Sequence, residues 1–293
     1  MKTIVITGAS SGIGLETARI LTRKGFNVLG IGHSEVNCNR AKGSILSENP
    51  DADITYFLAD LMQQREVIRV ADEITLCLNQ KSNGKLHALI NNAGCVRSWY
   101  MTTEEGYEQQ FALNHLAGFL LTYKLLPALK KAHGRVIMTG SESHKGIRVH
   151  WDDVMLRRRY NPLTAYKQSK LCNLLFAKGL NDRYATAAIR AYVVDPGLVK
   201  TGIGNKETGW LVNFIWTLRK RGGVQPEVPA ETYAFLCERE TVPDGLYYYL
   251  CKKKNYSKQV TSENADRLFK LSERLCGIEY ENEIAHDRKV RAK

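Results

Sequence analysis

The chain has 293 residues, which is long enough for one large α/β domain or two small ones. Its composition, 44% hydrophobic and 25% charged residues, is ordinary for a soluble globular protein. No apolar run approaches the about 20 residues that a membrane span needs, and Met1-Lys2-Thr3 leads directly into an apolar strand rather than a signal peptide. We therefore expect a cytosolic protein without a membrane span.

The spacing of the cysteines and the distribution of charge bear on whether the chain binds a metal or a nucleic acid. The seven cysteines are odd in number, widely spaced and without a Cys-x-x-Cys pair, so we expect reduced thiols and no bound metal. The formal net charge of +12 suits anionic ligands, but basic residues cluster only briefly, at Arg157 to Arg159, Arg219 to Arg221 and Lys252 to Lys254. No zinc-finger or aromatic RNA-binding signature accompanies them, so a solvated basic surface is favoured over a nucleic-acid partner.

The first predicted element is a β-branched strand, Thr3 to Thr7, followed by a glycine-rich turn and an amphipathic helix that ends at Gly25. The turn reads Gly8-Ala9-Ser10-Ser11-Gly12-Ile13-Gly14. Glycines at such a turn let the backbone approach a pyrophosphate, whose charge then meets amide groups and the positive end of the helix dipole. A plain tight turn is the alternative, but the position between a strand and a helix favours a nucleotide site.

Strands and helices then alternate, which predicts a parallel sheet. Three further strands are predicted at Asn27 to Gly32, Ile54 to Ala59 and Leu86 to Ile90, with a helix from Gln63 to about Asn79 before the last of them. Polar or small residues follow these strands, namely His33-Ser34, Asp60 and Asn91-Asn92-Ala93-Gly94. In such sheets the strand ends face the ligand crevice, so these residues are candidates for a site.

A helix is predicted from about Tyr107 to Lys131, and Asn114 falls on its apolar face. A buried amide must find partners, so Asn114 is either a core residue satisfied by the backbone or part of a site. The next predicted strand, Arg135 to Thr139, ends in Gly140-Ser141, where the hydroxyl of Ser141 either faces a ligand or caps a turn.

The stretch Tyr166-Lys167-Gln168-Ser169-Lys170 lies in a helix predicted from Thr164 to Tyr184. Four residues are about one helical turn, so the phenol and the terminal ammonium share one face. A free tyrosine has a pKa near ~10, and an adjacent cation favours the phenolate, which makes Tyr166 a candidate proton donor or acceptor. For the pair alone, a solvated helix face remains the default interpretation.

The last third of the chain contains an irregular segment, Lys145 to Pro162, and several regular elements. The predicted elements are a strand Ala188 to Val194 ending in Asp195-Pro196-Gly197, a helix Ala230 to Cys237, a strand Gly245 to Leu250 and a helix Ser262 to Leu275. Trp210, Phe214 and Leu218 share a helical face, so we predict that residues 203–228 form a substrate lid, with packing on the core or on another subunit as the alternative. No linker or internal repeat divides the chain, so we expect residues 1–293 to form a single domain with this lid.

These motifs together resemble the short-chain dehydrogenase/reductase family. In order they are Thr7-Gly-x-x-x-Gly-x-Gly14, Asp60, Asn91-Asn-Ala-Gly94, Asn114, Ser141, Tyr166-x-x-x-Lys170 and Pro196-Gly197, which span almost the whole chain. Leu198-Val-Lys-Thr201 and the segment Ala265 to Gly277 resemble the branch of retinol dehydrogenases and protochlorophyllide reductases. The fold expected is α/β, with a doubly wound parallel sheet (Rossmann fold), helices on both faces and a C-terminal substrate lid.

The resemblance implies a role for each matching residue. Tyr166 would pass a proton to or from the substrate oxygen, Ser141 would hydrogen-bond that oxygen, and Lys170 would bind the nicotinamide ribose and favour phenolate. Asn114 would hold a water in the proton relay. The implied cofactor-binding residues are Gly8, Ser10, Ser11, Gly12, Ile13, Gly14, Asp60, Leu61, Asn91, Ala93, Gly94, Tyr166, Lys170, Pro196, Gly197, Val199 and Thr201.

The end of the second strand predicts NADP(H) rather than NAD(H) as cofactor, because no acid stands there to accept from the ribose hydroxyls. His33 falls where related NADP-dependent enzymes commonly carry arginine, Ser34 can donate to a phosphate, and Arg40 can reach the site if the loop folds back. A neutral histidine grips phosphate less firmly than a guanidinium does, so the expected preference is modest.

The function predicted from these residues is hydride transfer between NADP(H) and a largely apolar carbonyl or alcohol substrate. The alternative is a catalytically idle NADP(H)-binding scaffold or sensor. The joint presence of Asn114, Ser141, Tyr166 and Lys170 favours the enzyme, since none of the four is needed merely to fold. The resemblance also allows a homodimer or homotetramer.

Overall fold

A computed structural model describes residues 1–186, 189–199 and 223–281. Its strands are β1 (Thr3–Thr7), β2 (Asn27–Gly32), β3 (Ile54–Leu58), β4 (Ala88–Asn91), β5 (Arg135–Thr139), β6 (Arg190–Val194), β7 (Tyr247–Tyr249) and β8 (Lys252–Lys253). They form one sheet in the order β3-β2-β1-β4-β5-β6-β7-β8, parallel throughout except for the antiparallel pair β7 and β8. The strand order reverses between β1 and β4, which confirms the doubly wound fold and places a topological switch point there.

The central strands are buried on both faces. In β1, Val5 packs into one hydrophobic cluster while its neighbours Ile4 and Ile6 pack into the other. In β5, Val136 and Ile137 divide in the same way. Because successive side chains of a strand point to opposite faces, a continuous apolar run supplies both layers at once, as is typical of a parallel sheet covered by helices.

Seven helices of eight or more residues lie within the described ranges. They are α1 (Gly12–Arg23), α2 (Glu35–Glu48), α3 (Gln64–Ser82), α4 (Ala117–Ala132), α5 (Pro162–Arg183), α6 (Glu227–Glu238) and α7 (Ser262–Cys276). Helices α1, α2 and α6 contribute to the cluster on one face of the sheet, whereas α3, α4 and α5 contribute to the cluster on the other, with α7 packed outside α5. No described helix is both long enough and apolar enough to cross a bilayer.

The structure differs from the predicted elements in two places. The helix predicted from Tyr107 to Lys131 has three parts, a helical turn Gln109–Phe111, a π-helical turn Ala112–Leu116 and then α4. The sequence shows no sign of the wider turn, because its apolar residues still fall on one face. Strand β8 was not predicted, because the turn before it uses Leu250 and Cys251 in left-handed conformations (φ 49° and 58°) instead of glycine.

The predicted lid lies mostly outside the described residues, including Trp210, Phe214 and Leu218. Of residues 203–228, those from 223 onwards are described. Val224 pairs with Val199 in an isolated parallel bridge, and its N–H donates to the carbonyl of Leu198 at 2.8 Å. The C-terminal part of the predicted lid segment therefore lies beside the segment that follows β6.

Gly14 packs so closely against Gly8 and Asn92 that there is no room for a side chain. Substituting this glycine therefore tests the close packing of the glycine turn. A Cβ on Gly14 would overlap the carbonyl oxygen of Gly8 and lie 2.7 Å from Nδ2 of Asn92, whereas a Cβ on the exposed, helical Gly43 would meet nothing within 4 Å. We expect Gly14→Ala to lower the free energy of unfolding by about 1–3 kcal/mol through overpacking. Gly43→Ala, the control, should raise it by about 0.4–1 kcal/mol. Urea unfolding followed by circular dichroism measures both, and equal stabilities of the two variants would contradict the close approach.

Candidate active site

The glycine turn presents the start of α1 at the carboxyl end of β1. Gly8 and Gly12 have left-handed backbones (φ 67° and 54°), a conformation that residues with a side chain rarely adopt. Ser11 is the N-cap of α1, but its side chain does not cap the helix, and the first turn of α1 contains no acid. The turn therefore leaves the positive end of the α1 dipole uncompensated, which suits an anion such as a phosphate.

The segment after β4 is fixed to the end of β1 by hydrogen bonds to Thr7. The hydroxyl of Thr7 accepts from the N–H groups of Asn92 (2.9 Å) and Ala93 (2.8 Å), and Nδ2 of Asn92 donates to the carbonyl of Thr7 at 3.0 Å. These bonds bridge the switch point and hold Ala93 and Gly94 beside the glycine turn. No positioning role for Thr7 or Asn92 was predicted, although both belong to the motifs that carry the family resemblance.

Asn91 lies with its side chain in the helix layer. Its Nδ2 donates to the hydroxyl of Thr122 at 3.2 Å, and a Cβ on Gly118 would lie 3.1 Å from its amide carbon. Its Oδ1 is buried without a hydrogen-bond partner among the described residues. Asn91 also lines a cavity of about 10 Å³, together with Ala93 and Asn114. A cavity of this size holds about one water molecule. Contact between Asn91 and a cofactor would therefore fall to its main chain.

Tyr166 and Lys170 share one face of α5, as their spacing predicts. The Nζ of Lys170 lies 5.4 Å from the centroid of the Tyr166 ring and donates to the carbonyl of Thr139, the last residue of β5, at 3.1 Å. Lys170 is buried, and burial lowers its pKa to about 8, although Cys95 and Asp195 partly offset that effect. Near neutral pH the chain therefore holds a buried ammonium beside a phenol.

Asn114 connects the loop after β4 to α5. Its Oδ1 accepts from the N–H of Cys95 (2.7 Å), and its Nδ2 donates to the carbonyl of Cys95 (3.1 Å) and to the hydroxyl of Ser169 (3.0 Å). Ser169 in turn donates to the carbonyl of Tyr166 at 2.8 Å. Both N–H donors of the Asn114 amide are used by these partners, so its side chain could only accept from a water in a proton relay, and a donor or a second acceptor would have to come from its main chain.

Ser141 follows β5 after Gly140 and starts a 3₁₀ turn, Glu142–His144. Its Oγ accepts from the N–H of Ser143 at 3.3 Å, so the turn-capping role is realised. The hydroxyl group keeps its own proton to donate, because a serine hydroxyl is both a donor and an acceptor. Capping the turn and hydrogen-bonding a substrate oxygen are therefore compatible in Ser141.

A buried carboxylate shapes the loop after β6. Asp195 accepts from the N–H of Gly197 (2.9 Å) through one oxygen and from the hydroxyl of Tyr247 in β7 (2.7 Å) through the other. Gly197 is left-handed (φ 68°), and this places Pro196 and Gly197 at the same edge as the other strand ends. Burial and the adjacent carboxylate raise the pKa of Tyr247, which therefore remains a hydroxyl donor.

The predicted residues at the ends of β2 and β3 lie at the same edge of the sheet. His33 is exposed, and the hydroxyl of Ser34 accepts from the N–H of Asn37 as the N-cap of α2. Asp60 is exposed and accepts from the N–H of Met62 at 3.0 Å, with Leu61 buried beside it. The condition set for Arg40, a loop that folds back, is not met, because Arg40 lies within α2, six residues after its N-cap and so about 9 Å along the helix. Thr201 lies outside the described residues.

Residues 2–211 match the short chain dehydrogenase family, and the chain belongs to this family. It is similar to retinol dehydrogenase 12 of Mus musculus, with 33% identity over 284 residues that cover 96% of this chain and 88% of the relative. This confirms the predicted family and its retinol dehydrogenase branch. Family membership implies a nicotinamide dinucleotide, NAD(H) or NADP(H), as cofactor.

Solved structures show the same fold. An uncharacterised protein of Mycobacterium paratuberculosis matches with a TM-score of 0.72 and 28% identity over 96% of this chain and 95% of that chain. A short-chain dehydrogenase of Sphingobium yanoikuyae in complex with NADPH matches with a TM-score of 0.65 and 20% identity over 96% of this chain and 97% of that chain. The present chain therefore shares its overall fold with both of these structures.

The lowered pKa of Lys170 predicts a conflict between stability and function. The pKa is about 8 in the folded chain and has an ordinary value of 10.5. Folding therefore opposes protonation, and at about 1.4 kcal/mol for each pH unit the cost below pH 8 is about 3 kcal/mol. We expect Lys170→Met to unfold at higher urea concentration than the wild type at pH 7. The difference should shrink as the pH rises from about 8 towards 10.5, where the unfolded chain also loses the proton.

Lys167→Met is the matched control, because Lys167 lies on the same helix with a partly exposed side chain. It should change stability little at any pH. A Lys170→Met variant that is less stable than the wild type at pH 7, or a difference that is the same at pH 7 and pH 10, would contradict the buried-charge explanation.

Proposed function

We propose that the protein is an NADP(H)-dependent oxidoreductase that interconverts a largely apolar alcohol and the corresponding aldehyde or ketone. The observation that carries this proposal is the buried ammonium of Lys170, 5.4 Å from the ring of Tyr166, at the carboxyl edge of the sheet. A buried charge lowers the stability of the fold. A role for the Lys170 charge in proton transfer by the Tyr166 phenol would explain why the protein keeps it.

The described residues fit a dinucleotide. The start of α1 has no acid in its first turn, and its turn conformation depends on Gly8 and Gly12. A Cβ at Gly94 would lie 2.9 Å from Oδ1 of Asn114 and 3.8 Å from Nζ of Lys170. Glycine at this position therefore avoids a clash with Asn114 and leaves the space beside Lys170 open. The pyrophosphate would lie at the glycine turn, and Lys170 would bind the nicotinamide ribose. When bound, the nicotinamide ring supplies or accepts the hydride.

Proton transfer to and from the substrate oxygen would be carried out by side chains of the protein. In reduction, the hydroxyl of Tyr166 donates a proton to the substrate oxygen, and in oxidation the phenolate accepts it. The charge of Lys170 stabilises the phenolate and so lowers the barrier to proton release. Ser141 donates its hydroxyl hydrogen to the same substrate oxygen, which orients the carbonyl and stabilises the negative charge that develops there.

Apolar side chains follow two of the strand ends and support an apolar substrate. Leu198, directly after Gly197, is 47% exposed. The loop after Gly94 continues to Trp99, Tyr100 and Met101, and Trp99 is 58% exposed. The relatives named retinol dehydrogenases point in the same direction, because a retinoid is a long apolar alcohol or aldehyde. The proposed substrate is therefore a compound of this general kind.

The end of β2 supports NADP(H) over NAD(H). No carboxylate follows this strand directly, and His33 is exposed there. The N-terminus of α2 adds a positive dipole end beside Ser34, which favours a phosphate, while Glu35 in the first turn works against it. A structural neighbour also binds NADPH. These opposing charges support a preference that is real but modest.

Replacing the phenol of Tyr166 tests the enzyme directly. Tyr166→Phe keeps the ring but removes the group that carries the proton, so kcat should fall by about 100- to 10,000-fold while the Kd for NADPH stays the same. The substrate is first identified by a screen of apolar aldehydes and ketones, followed through loss of NADPH absorbance. Ser141→Ala should also lose turnover and keep NADPH binding, because it removes one donor to the substrate oxygen.

A fall of less than tenfold in Tyr166→Phe would rule out the proposed proton transfer. Binding of NADPH with no turnover of any aldehyde or ketone by the wild type would favour an idle cofactor-binding scaffold. The Phe variant cannot distinguish these cases alone, so the wild-type screen comes first.

The cofactor preference is tested by placing a carboxylate at the end of β2. The wild type should have a higher kcat/KM with NADPH than with NADH. His33→Asp should lower the ratio of kcat/KM with NADPH to kcat/KM with NADH by at least about tenfold. The reason is that a carboxylate repels the 2′-phosphate of NADPH and accepts hydrogen bonds from the ribose hydroxyls of NADH. Arg40→Ala is the comparison, since Arg40 lies further along α2. Equal efficiencies with the two cofactors in the wild type, or a preference for NADH, would overturn the assignment.

A further inference from the structure

His144 is a buried histidine that none of the motifs includes. It lies three residues after Ser141 and ends the 3₁₀ turn that Ser141 begins. Its Nδ1 lies 2.6 Å from the carbonyl oxygen of Ser141, and its main-chain N–H donates to the same oxygen at 3.1 Å. The ring therefore closes the turn directly on the residue that is expected to contact the substrate oxygen.

The partners of His144 fix its tautomer. The main-chain N–H of Ser257 points at Nε2 at 3.1 Å, so Nε2 must be the acceptor. The carbonyl of Ser141 accepts only, so Nδ1 must carry the proton. A protonated ring would place an N–H against the N–H of Ser257, and burial lowers the pKa of His144. The geometry and the burial both favour a neutral ring with its hydrogen on Nδ1.

The surroundings hold the ring in one orientation. The ring of Tyr247 packs edge-on against it, with ring centroids 4.9 Å apart. The hydroxyl of Tyr247 donates to Asp195 at 2.7 Å and lies 3.4 Å from a carboxylate oxygen of Glu142, which is itself paired with Lys145. These are the charged and titratable groups that face His144, and both carboxylates have other partners.

We propose that His144 is a positioning residue, which holds the backbone of Ser141 so that its hydroxyl is aimed at the substrate oxygen. This inference rests on the proposed function of Ser141. Ser141 has an extended backbone (φ −171°, ψ 147°), and the His144 bond acts on its carbonyl, on the other side of its Cα from Gly140. Loss of that bond frees the turn to rotate, and a displacement of about 1 Å in a catalytic group can cost about 100-fold in rate.

Two substitutions separate the two nitrogens of the ring. The amide nitrogen of asparagine lies as many bonds from Cα as Nδ1 does, so His144→Asn restores the donor to Ser141. The amide oxygen of glutamine lies as many bonds from Cα as Nε2 does, so His144→Gln restores the acceptor for Ser257 and removes the donor. A purely structural histidine that anchors Ser257 would be better replaced by glutamine, whereas a positioning histidine would be better replaced by asparagine.

The experiment measures kcat, the KM of the substrate and the Kd for NADPH in both variants, each made in the wild type and in Ser141→Ala. We expect His144→Gln to lower kcat by about 10- to 100-fold with unchanged NADPH affinity, and His144→Asn to recover most of that loss. In the Ser141→Ala background His144→Gln should change kcat by less than about twofold, because its target hydroxyl is gone. A full additional loss in that background would overturn the inference.

The outcomes also separate the inference from the function on which it rests. If Ser141→Ala keeps wild-type turnover, the proposed role of Ser141 is wrong and the inference falls with it. If Ser141→Ala loses turnover and His144→Gln does not, only the inference is wrong. Nitrogen-15 shifts of His144 in the wild-type chain test the premise without any substitution. A hydrogen on Nδ1 is expected, and a hydrogen on Nε2 or a charged ring at pH 7 would overturn it.

Discussion

The site depends on the energy of keeping an ammonium inside the protein. The Nζ of Lys170 is held by the carbonyl of Thr139, which also accepts from Nδ2 of Asn173 at 3.0 Å. A neutral carbonyl compensates a buried charge only in part, and the lowered pKa of Lys170 records the remainder. Because Thr139 is the last residue of β5, the sheet sets the position of the charge. Helix α5 must therefore pack against the sheet in the position that brings Nζ of Lys170 to the carbonyl of Thr139.

The loops around this charge are held by side chains rather than by the sheet. Beyond the last residue of a parallel strand the regular hydrogen-bond ladder stops, and the main chain needs other partners. Thr7 supplies them after β4, Asn114 supplies them at Cys95, and Asp195 supplies them at Gly197. These three polar side chains are buried, and each shapes a segment where the family resemblance implies cofactor contacts. The proposed binding surface is thus largely main chain, held in place by buried side chains.

The sequence was informative wherever a pattern is local. Strand β5 and the order of strands and helices follow from apolar runs and glycine turns, and the Tyr166 and Lys170 pair follows from helical spacing. The π-helical turn around Asn114, the turn at Leu250 and Cys251, and the role of His144 were not predictable in this way. Each of these places has a partner elsewhere in the chain, and no period or motif encodes such a pairing. The partners are Ser169 for Asn114, Thr232 for Cys251 and Ser257 for His144.

This difference separates two kinds of residue at the same site. The chemistry proposed for Tyr166, Lys170 and Ser141 requires a particular functional group at each position, so a motif can identify these residues as candidates. Thr7, Asp195 and His144 take part in hydrogen bonds that fix the backbone, and each of these bonds joins segments that are more than fifty residues apart in the chain. Tyr247 and Ser257 bring the C-terminal part of the fold back onto the turn of Ser141. The turn that Ser141 begins is therefore contacted by residues more than a hundred positions away. In the proposed site, a substrate oxygen would meet a donor whose backbone is held from the C-terminal part of the fold.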